Sequence, residues 1–251
     1  MFPFQDPGEW LSSYHWFVCI SSYTEAYTRL RWGRDLRTEV VFPCADPVPE
    51  SGLPRERTIL SLGRFNWAGH TKNQGVLVDA FADCLSSLPR GWRLVLAGKI
   101  NDEQSANREE MEKLRERCSG LPIAFEVNVS GARKRELLST ASLYWHATGV
   151  GGSEPADAAR MEHFGIAVVE AMGSGAIPLA FARGGPREII AHARTGFLYR
   201  NLVELKTFTL CLAADPALAE RFRAAGHERA RLFGRPGHDQ RMARIIREVT
   251  A

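Results

Sequence analysis

TILSLGRFNWAGHTKNQGVLVDAFADCLSSLPRGWRLVLAG, residues 58–98, decides the fold. It opens on TILSLG (58–63) and closes on RLVLAG (93–98), two apolar runs of strand length. Between them a helical pattern covers about 72–88. A strand, a helix and a second strand in this order read as a parallel crossover unit. The same alternation continues outward. A polar loop leads to the charged helix NREEMEKLRERC, which Gly120 stops, and IAFEV (123–127) is the next strand. KRELLSTA is a short helix and SLYWH (142–146) a fourth strand. A helix near 164–173, the strand AIPLA, the helix PREIIA and the strand GFLY follow, and three helical stretches close the chain at about 202–213, 215–232 and 237–249. Strands alternating with helices predict an α/β domain: a doubly wound parallel sheet with helices on both faces.

Residues 1–57 have another character. FVCISSYTEAYTRLRWG reads as strand, turn and helix, and EVVFP as a strand. CADPVPESGLPRER has the Pro and Gly content of a linker. One strand–helix–strand unit cannot bury its own faces, so it reads as the end of a domain whose beginning is absent, with apolar surface near Trp10, Trp16, Phe17 and Trp32.

Composition narrows the function classes. Of the 251 residues 45% are hydrophobic and 24% charged, with a net charge of +3, too mild for a nucleic-acid partner. The arginines from Arg221 to Arg247 read as a solvated helix face before an anionic-membrane patch. Five scattered cysteines, with no C-x-x-C pair, argue against a disulfide framework or a zinc knot. No apolar run reaches the ~18 residues of a membrane span, and MFPFQDPGEW does not read as a signal peptide. These features point to a cytoplasmic protein.

Two stretches carry chemistry. In GRFNWAGHTKNQ (63–74), Gly63 ends a strand, and Thr71 with Gln74 matches a capping box. That predicts Lys72 in the first helical turn, near His70 and Arg64, where a bound anion would face backbone N–H groups and two cations. The competing reading of Lys72, a surface lysine pointing away, carries equal weight. In MEHFGIAVVEAMGSG (161–175), Glu162 precedes a helix and Glu170 lies about two turns inside it. Eight residues at ~1.5 Å rise separate the carboxylates by about 12 Å along the axis. That is too wide for paired acid/base work and suits an elongated ligand. Gly165 lets such a ligand approach the backbone. Glu170 alternatively reads as a solvated helix face, although its neighbours Val168, Val169, Ala171 and Met172 are apolar. The small, acidic loop 147–161 follows a strand's carboxyl end, where open α/β sheets bind ligands. Gly98-Lys99 is no Walker loop, because Arg93 replaces the first glycine and Ile100 follows the lysine. His146 and His163 lack metal-ligand spacing, and His146 reads as a pocket wall.

SLGRF with Lys72, RLVLAGK, FEVNVS, SLYWHATG, MEHFGIAVVEAMGSGAIPLAFARGGPREII and TGFLY, in this order, resemble the family 4 retaining glycosyltransferases with the two-domain GT-B fold. The likeness is nearest to a mannosyltransferase-like branch and covers about 58–250. It implies a remnant of the acceptor domain at 1–45, a linker at 46–57, a Rossmann-like donor domain at 58–234, and at 235–251 a closing helix that crosses back. It implies that Arg64 and Lys72 neutralise a diphosphate leaving group and that Glu162 holds the donor sugar. Gly63, His163, Phe164, Gly165 and Ile166 would line the donor, Glu170 would take the ribose, and Asn128 with Val129 would lie beside the base. Neither a metal nor another cofactor is implied; the substrate is a nucleotide-diphosphate sugar and the acceptor a glycan or a lipid-linked acceptor. The resemblance leaves room for a peripheral membrane position, a partner chain carrying the acceptor site, and self-association. A non-catalytic nucleotide-sugar-binding module, or the donor subunit of a split enzyme, stands as the alternative.

Overall fold

The computed structural model describes residues 8–45, 53–67, 70–101, 103 and 105–250, without the side chains of 8–10. Trp10's side chain and most of the expected linker therefore lie outside the described residues. The remainder contains a six-stranded parallel sheet and a separate two-stranded parallel pair.

The pair comprises β1 (Phe17–Cys19) and β2 (Thr38–Val40), joined by helix α1 (Ser22–Trp32). The large sheet takes β3 (Glu56–Leu62), β4 (Arg93–Gly98), β5 (Ile123–Val127), β6 (Ala141–His146), β7 (Ile177–Phe181) and β8 (Phe197–Tyr199). Its spatial order is β5-β4-β3-β6-β7-β8. In chain order that is 3-2-1-4-5-6, the order of nucleotide-binding doubly wound sheets, with the reversal between β3 and β6. The expected α/β class and parallel pairing are both present, and β3 begins two residues before the expected 58.

Side-chain alternation explains why both faces are covered. Ile59, Leu94, Leu96, Leu143 and Trp145 point to one core, with Leu77 and Phe81 of α2 (Gln74–Cys84), Met111 and Leu114 of α3 (Ser105–Arg117) and Leu205 of α7 (Leu202–Ala214). Leu60, Val95 and Tyr144 point to the other, with Leu137 and Leu138 of α4 (Gly131–Thr140), Val168 and Met172 of α5 (Ile166–Gly173) and Ile189 of α6 (Pro186–Ile189). Strands buried on both faces must read as near-continuous apolar runs. Fully burying one such side chain stabilises by roughly 1.5–3 kcal/mol.

The two-stranded unit is fastened from several sides. Phe42, just after β2, stacks on Phe164 at 5.5 Å and meets Phe233 edge-on at 5.2 Å. The last helix, α9 (Arg235–Thr250), follows α8 (Pro216–Ala230) and reaches the same unit. Arg241 donates to the Val40 carbonyl at 3.0 Å, His238 Nδ1 lies 2.9 Å from the Phe42 carbonyl oxygen, and Arg244 pairs with Glu39. Of the aromatic residues expected near an apolar surface, Trp16, Phe17 and Trp32 are half-buried. Arg37 covers the Trp16 ring at 3.7 Å, and Phe17 meets Trp32 edge-on at 6.0 Å. The exposed apolar side chains there are Tyr14, Val18 and Leu30. Among the described residues no helix is long and apolar enough to cross a membrane.

Candidate functional site

A cleft of about 470 Å³ opens at the carboxyl ends of β3 and β6, beside the reversal in strand order. Its lining brings together Gly63, Arg64, Lys72, Glu162, His163, Phe164, Gly165, Ile166 and Glu170, nine of the residues singled out in the sequence. Asn128 and Val129 do not join them. Asn128 follows β5 in a left-handed conformation (φ 54°), and its Oδ1 accepts from Ile100 N–H at 3.1 Å. Ile20 and Pro43 of the first unit and Lys134 and His146 of the large sheet's side complete the charged and apolar walls.

The expected capping box does not form. Helix α2 starts at Gln74, and Asn73 before it is left-handed (φ 54°) with no side-chain cap. The reason lies in distant partners. Asn73 Nδ2 donates to the carbonyls of Ala147 and Val150, at 2.9 and 3.2 Å, and Gln74 Nε2 donates to that of Arg64 at 2.9 Å. Asn73 and Gln74 thus tie the strand-end loops together, and Thr71, the expected cap, accepts from Asn73 N–H at 3.2 Å. Lys72 consequently precedes the helix rather than occupying its first turn. Its stem passes over Gly63, where a Cβ would lie 2.8 Å from Lys72 Cγ.

That route carries the Lys72 ammonium to Glu162, Nζ to Oε2 at 2.6 Å. His146 Nε2 lies 3.0 Å from the same oxygen. An ionised carboxylate only accepts, so Nε2 must carry the proton and donate. Burial opposes ionisation of Glu162, but the His146 hydrogen bond and the charge of Lys72 outweigh it and hold the carboxyl well below the usual carboxylate range. Two donors thus meet on Oε2, while Glu162 as a whole lines the cleft. Arg64, by contrast, is exposed at the rim. Of the two cations, Lys72 is thus bound to a carboxylate while Arg64 is exposed.

His163 and His70 stack at 5.2 Å with 24° between their planes. Burial lowers the pKa of both; the neighbouring His70 ring lowers His163 further, to about 4, and Lys72 lowers His70 further. His70 Nε2 also lies 2.8 Å from the Met161 carbonyl oxygen, closing the far end of loop 147–161.

Helix α5 starts one residue after Gly165, whose φ of 111° is the left-handed region where a side chain is strained. The helix starts two residues later than the sequence suggested, so Glu170 lies one turn inside rather than two. Gly165 provides no cap, and the first-turn N–H groups of a helix have no partner within it. Gly165, Ile166 and Ala167 line the cleft, which makes this end suited to an anion. At the cleft's other end Glu170 meets Lys134, Oε1 to Nζ at 2.7 Å. Neither Lys134 nor the bond from His146 to Glu162 was singled out in the sequence. Lys134 sits mid-helix in KRELL among other charges, and nothing local marks it.

The family model for glycosyl transferases group 1 matches residues 49–209, and the chain belongs to that family. Among its relatives is a Dictyostelium discoideum protein named GDP-Man:Man(3)GlcNAc(2)-PP-Dol alpha-1,2-mannosyltransferase. It is 33% identical over 161 residues, 60% of this chain and 29% of the relative. A Xenopus tropicalis protein of the same name is 28% identical over 231 residues, 84% of this chain and 44% of the relative. The mannosyltransferase-like likeness read from the motifs is thus present in whole-sequence similarity. The chain spans less than half the length of both relatives. Anabaena HepE in complex with UDP and glucose superposes with a TM-score of 0.76 at 19% identity, over 93% of this chain and 63% of that one. Sucrose-phosphate synthase from Thermosynechococcus elongatus gives 0.74 at 23%, over 94% and 58%. At these identities the likeness establishes the fold: the large sheet is a Rossmann-like domain of the GT-B type.

Proposed function

We propose that this chain binds a nucleotide-diphosphate sugar in the cleft and supplies the donor half of a glycosyltransferase that transfers the sugar to an acceptor hydroxyl. The observation that carries this is the arrangement along one cleft: the ionised, doubly held Glu162, then the uncapped N-terminus of α5, then Glu170 with Lys134. Glu162 would accept hydroxyls of the sugar. The N–H groups of Gly165 and Ile166 would face the diphosphate, with Arg64 and Lys72 adding positive charge. Glu170 would accept the ribose hydroxyls, and the end of β5 with Asn128 and Val129 would lie towards the base. As the sugar–phosphate bond breaks, negative charge grows on the departing diphosphate, where these fixed dipoles and cations stabilise it most. Retention of configuration follows if the acceptor attacks on the face the leaving group vacates, with the departing phosphate oxygen taking the acceptor's proton. The relatives named for a GDP-mannose donor and a dolichol-linked acceptor favour a mannosyl donor and a lipid-linked glycan.

Divalent metal is not required in this scheme, because α5 and the two cations carry the diphosphate charge. Calorimetry in EDTA with UDP, GDP, ADP and their glucosyl or mannosyl derivatives checks it. One base is expected to bind clearly without metal. Binding that appears only on adding Mg²⁺ or Mn²⁺ would overturn the metal-free reading, and no binding under either condition would overturn the donor site itself.

A further inference from the structure

The loop that carries Glu162 is held from both sides by groups outside the cleft. On the sheet side the Gly185 N–H donates to the Glu162 carbonyl at 2.7 Å. A Cβ at Gly184 or Gly185 would collide with the backbone of residues 162–164, so only two glycines allow this approach. Arg229 holds the same turn, donating to the carbonyls of Glu188 and Ile189 at 2.6 and 3.0 Å. On the other side stands the first unit. Ser21 Oγ donates to the His163 carbonyl at 2.5 Å, and Tyr23 OH donates to that of Ala158 at 2.8 Å.

Glu188 connects the two sides. Its carboxylate accepts the N–H groups of Ser22 and Tyr23, at 2.8 and 2.9 Å, at the start of α1. Those are groups that a helix leaves unsatisfied, and a carboxylate there also faces the favourable end of the helix dipole. Ser21 simultaneously caps α1, accepting from Thr24 N–H at 3.0 Å. A closed circuit results: Glu188 fixes the start of α1, α1 presents Ser21, Ser21 grips the His163 carbonyl, and the turn bearing Glu188 grips the Glu162 carbonyl. Ser21 is fully buried, so no water replaces its bond.

We infer that Glu188 and Ser21 are positioning residues: they latch the first unit onto the 162–165 loop and so set the sugar end of the donor cleft, while the nucleotide end stands without them. This rests on the donor-site reading above. Glu170 and Lys134 bond each other at the cleft's other end, so loosening the latch should shift Glu162 relative to a bound sugar and leave the ribose contacts in place.

The test uses the full chain with Glu188→Gln, Ser21→Ala and Ser21→Thr, titrated calorimetrically in EDTA with the best-binding nucleoside diphosphate and its nucleotide sugar. Glu188→Gln and Ser21→Ala are expected to weaken the nucleotide sugar five- to tenfold and the free nucleoside diphosphate less than twofold. Ser21→Thr, which keeps the hydroxyl, should restore most of the loss. Thermal unfolding of each variant separates the latch from mere support, because a structural role weakens both ligands in step with the fall in Tm. Equal weakening of both ligands, or no weakening in Glu188→Gln, overturns the latch while leaving the donor site standing. If the unsubstituted chain binds neither ligand, the donor-site reading falls and the latch falls with it.

Discussion

At the residue scale the proposed donor site assigns the two glutamates to different fragments of one ligand. Glu170→Gln should weaken the free nucleotide and the nucleotide sugar alike, since both carry the ribose. Glu162→Gln should weaken only the sugar-bearing form. Hydrogen bonds to a charged group contribute roughly 1.5–3 kcal/mol, so each loss should exceed about tenfold in Kd. The ion pair sharpens this. Removing the Glu162 charge frees Lys72 from its 2.6 Å partner, so binding of the free nucleotide should hold steady or tighten. Parallel losses in both variants for both ligands would contradict a ligand stretched between the two carboxylates. His163 offers a pH test of the same pocket. Its pKa falls from 6.5 to about 4, chiefly through burial. Between those values the unfolded chain binds more protons than the folded one, so stability falls as pH drops from 6.5 towards 4. His70, also lowered, acts in the same direction. With allowance for the partial exposure of His163, its share is about 1–2 kcal/mol. Urea midpoints from pH 7 to 4.5 should decline less steeply in His163→Gln; an unchanged slope would show that the ring is not excluded from protonation.

At the element scale the start of α5 matters most. An eight-residue helix has little propensity to form alone, and here it is buried through Val168, Val169, Ala171 and Met172. Those contacts hold its N-terminus at the cleft without any cap, which keeps its N–H groups available to a ligand. Gly165 is the one residue type that accepts φ 111° at that junction without strain. Gly165→Ala is expected to cost about 1–2 kcal/mol of stability, read from urea unfolding, and to weaken nucleoside diphosphate binding at least fivefold. A variant with unchanged affinity would mean that the diphosphate lies elsewhere. The same element shows what was legible. MEHFGIAVVEAMGSG placed a helix just beyond Glu162 because its apolar run continues with helical spacing after a glycine. The helix nevertheless begins only at Ile166, with Glu170 one turn inside, because Gly165 turns the backbone to φ 111° just before it.

At the scale of the whole molecule, strand order determines where chemistry can occur. Only at the reversal between β3 and β6 do the crossovers leave in opposite directions, and the loops after those strands part to form a cleft. The chain by itself determined that much. Runs such as TILSLG and RLVLAG are apolar on both sides of the pleat, so they had to be sandwiched between helices. Their alternation with helices forces parallel pairing, and GRF and EHFGI then fall at strand or helix ends where ligands bind. What the tertiary structure alone decided is which charges meet. Glu162 finds Lys72 90 residues away, Glu170 finds Lys134 36 away, and Ser22 finds Glu188 166 away. Asn73 abandons a helix cap for two carbonyls 74 and 77 residues distant. Apolar periodicity is a local signal, because each strand or helix must bury its own face. The partner of a lysine or a glutamate is selected by where the crossovers deliver it, and no spacing within a single segment encodes that.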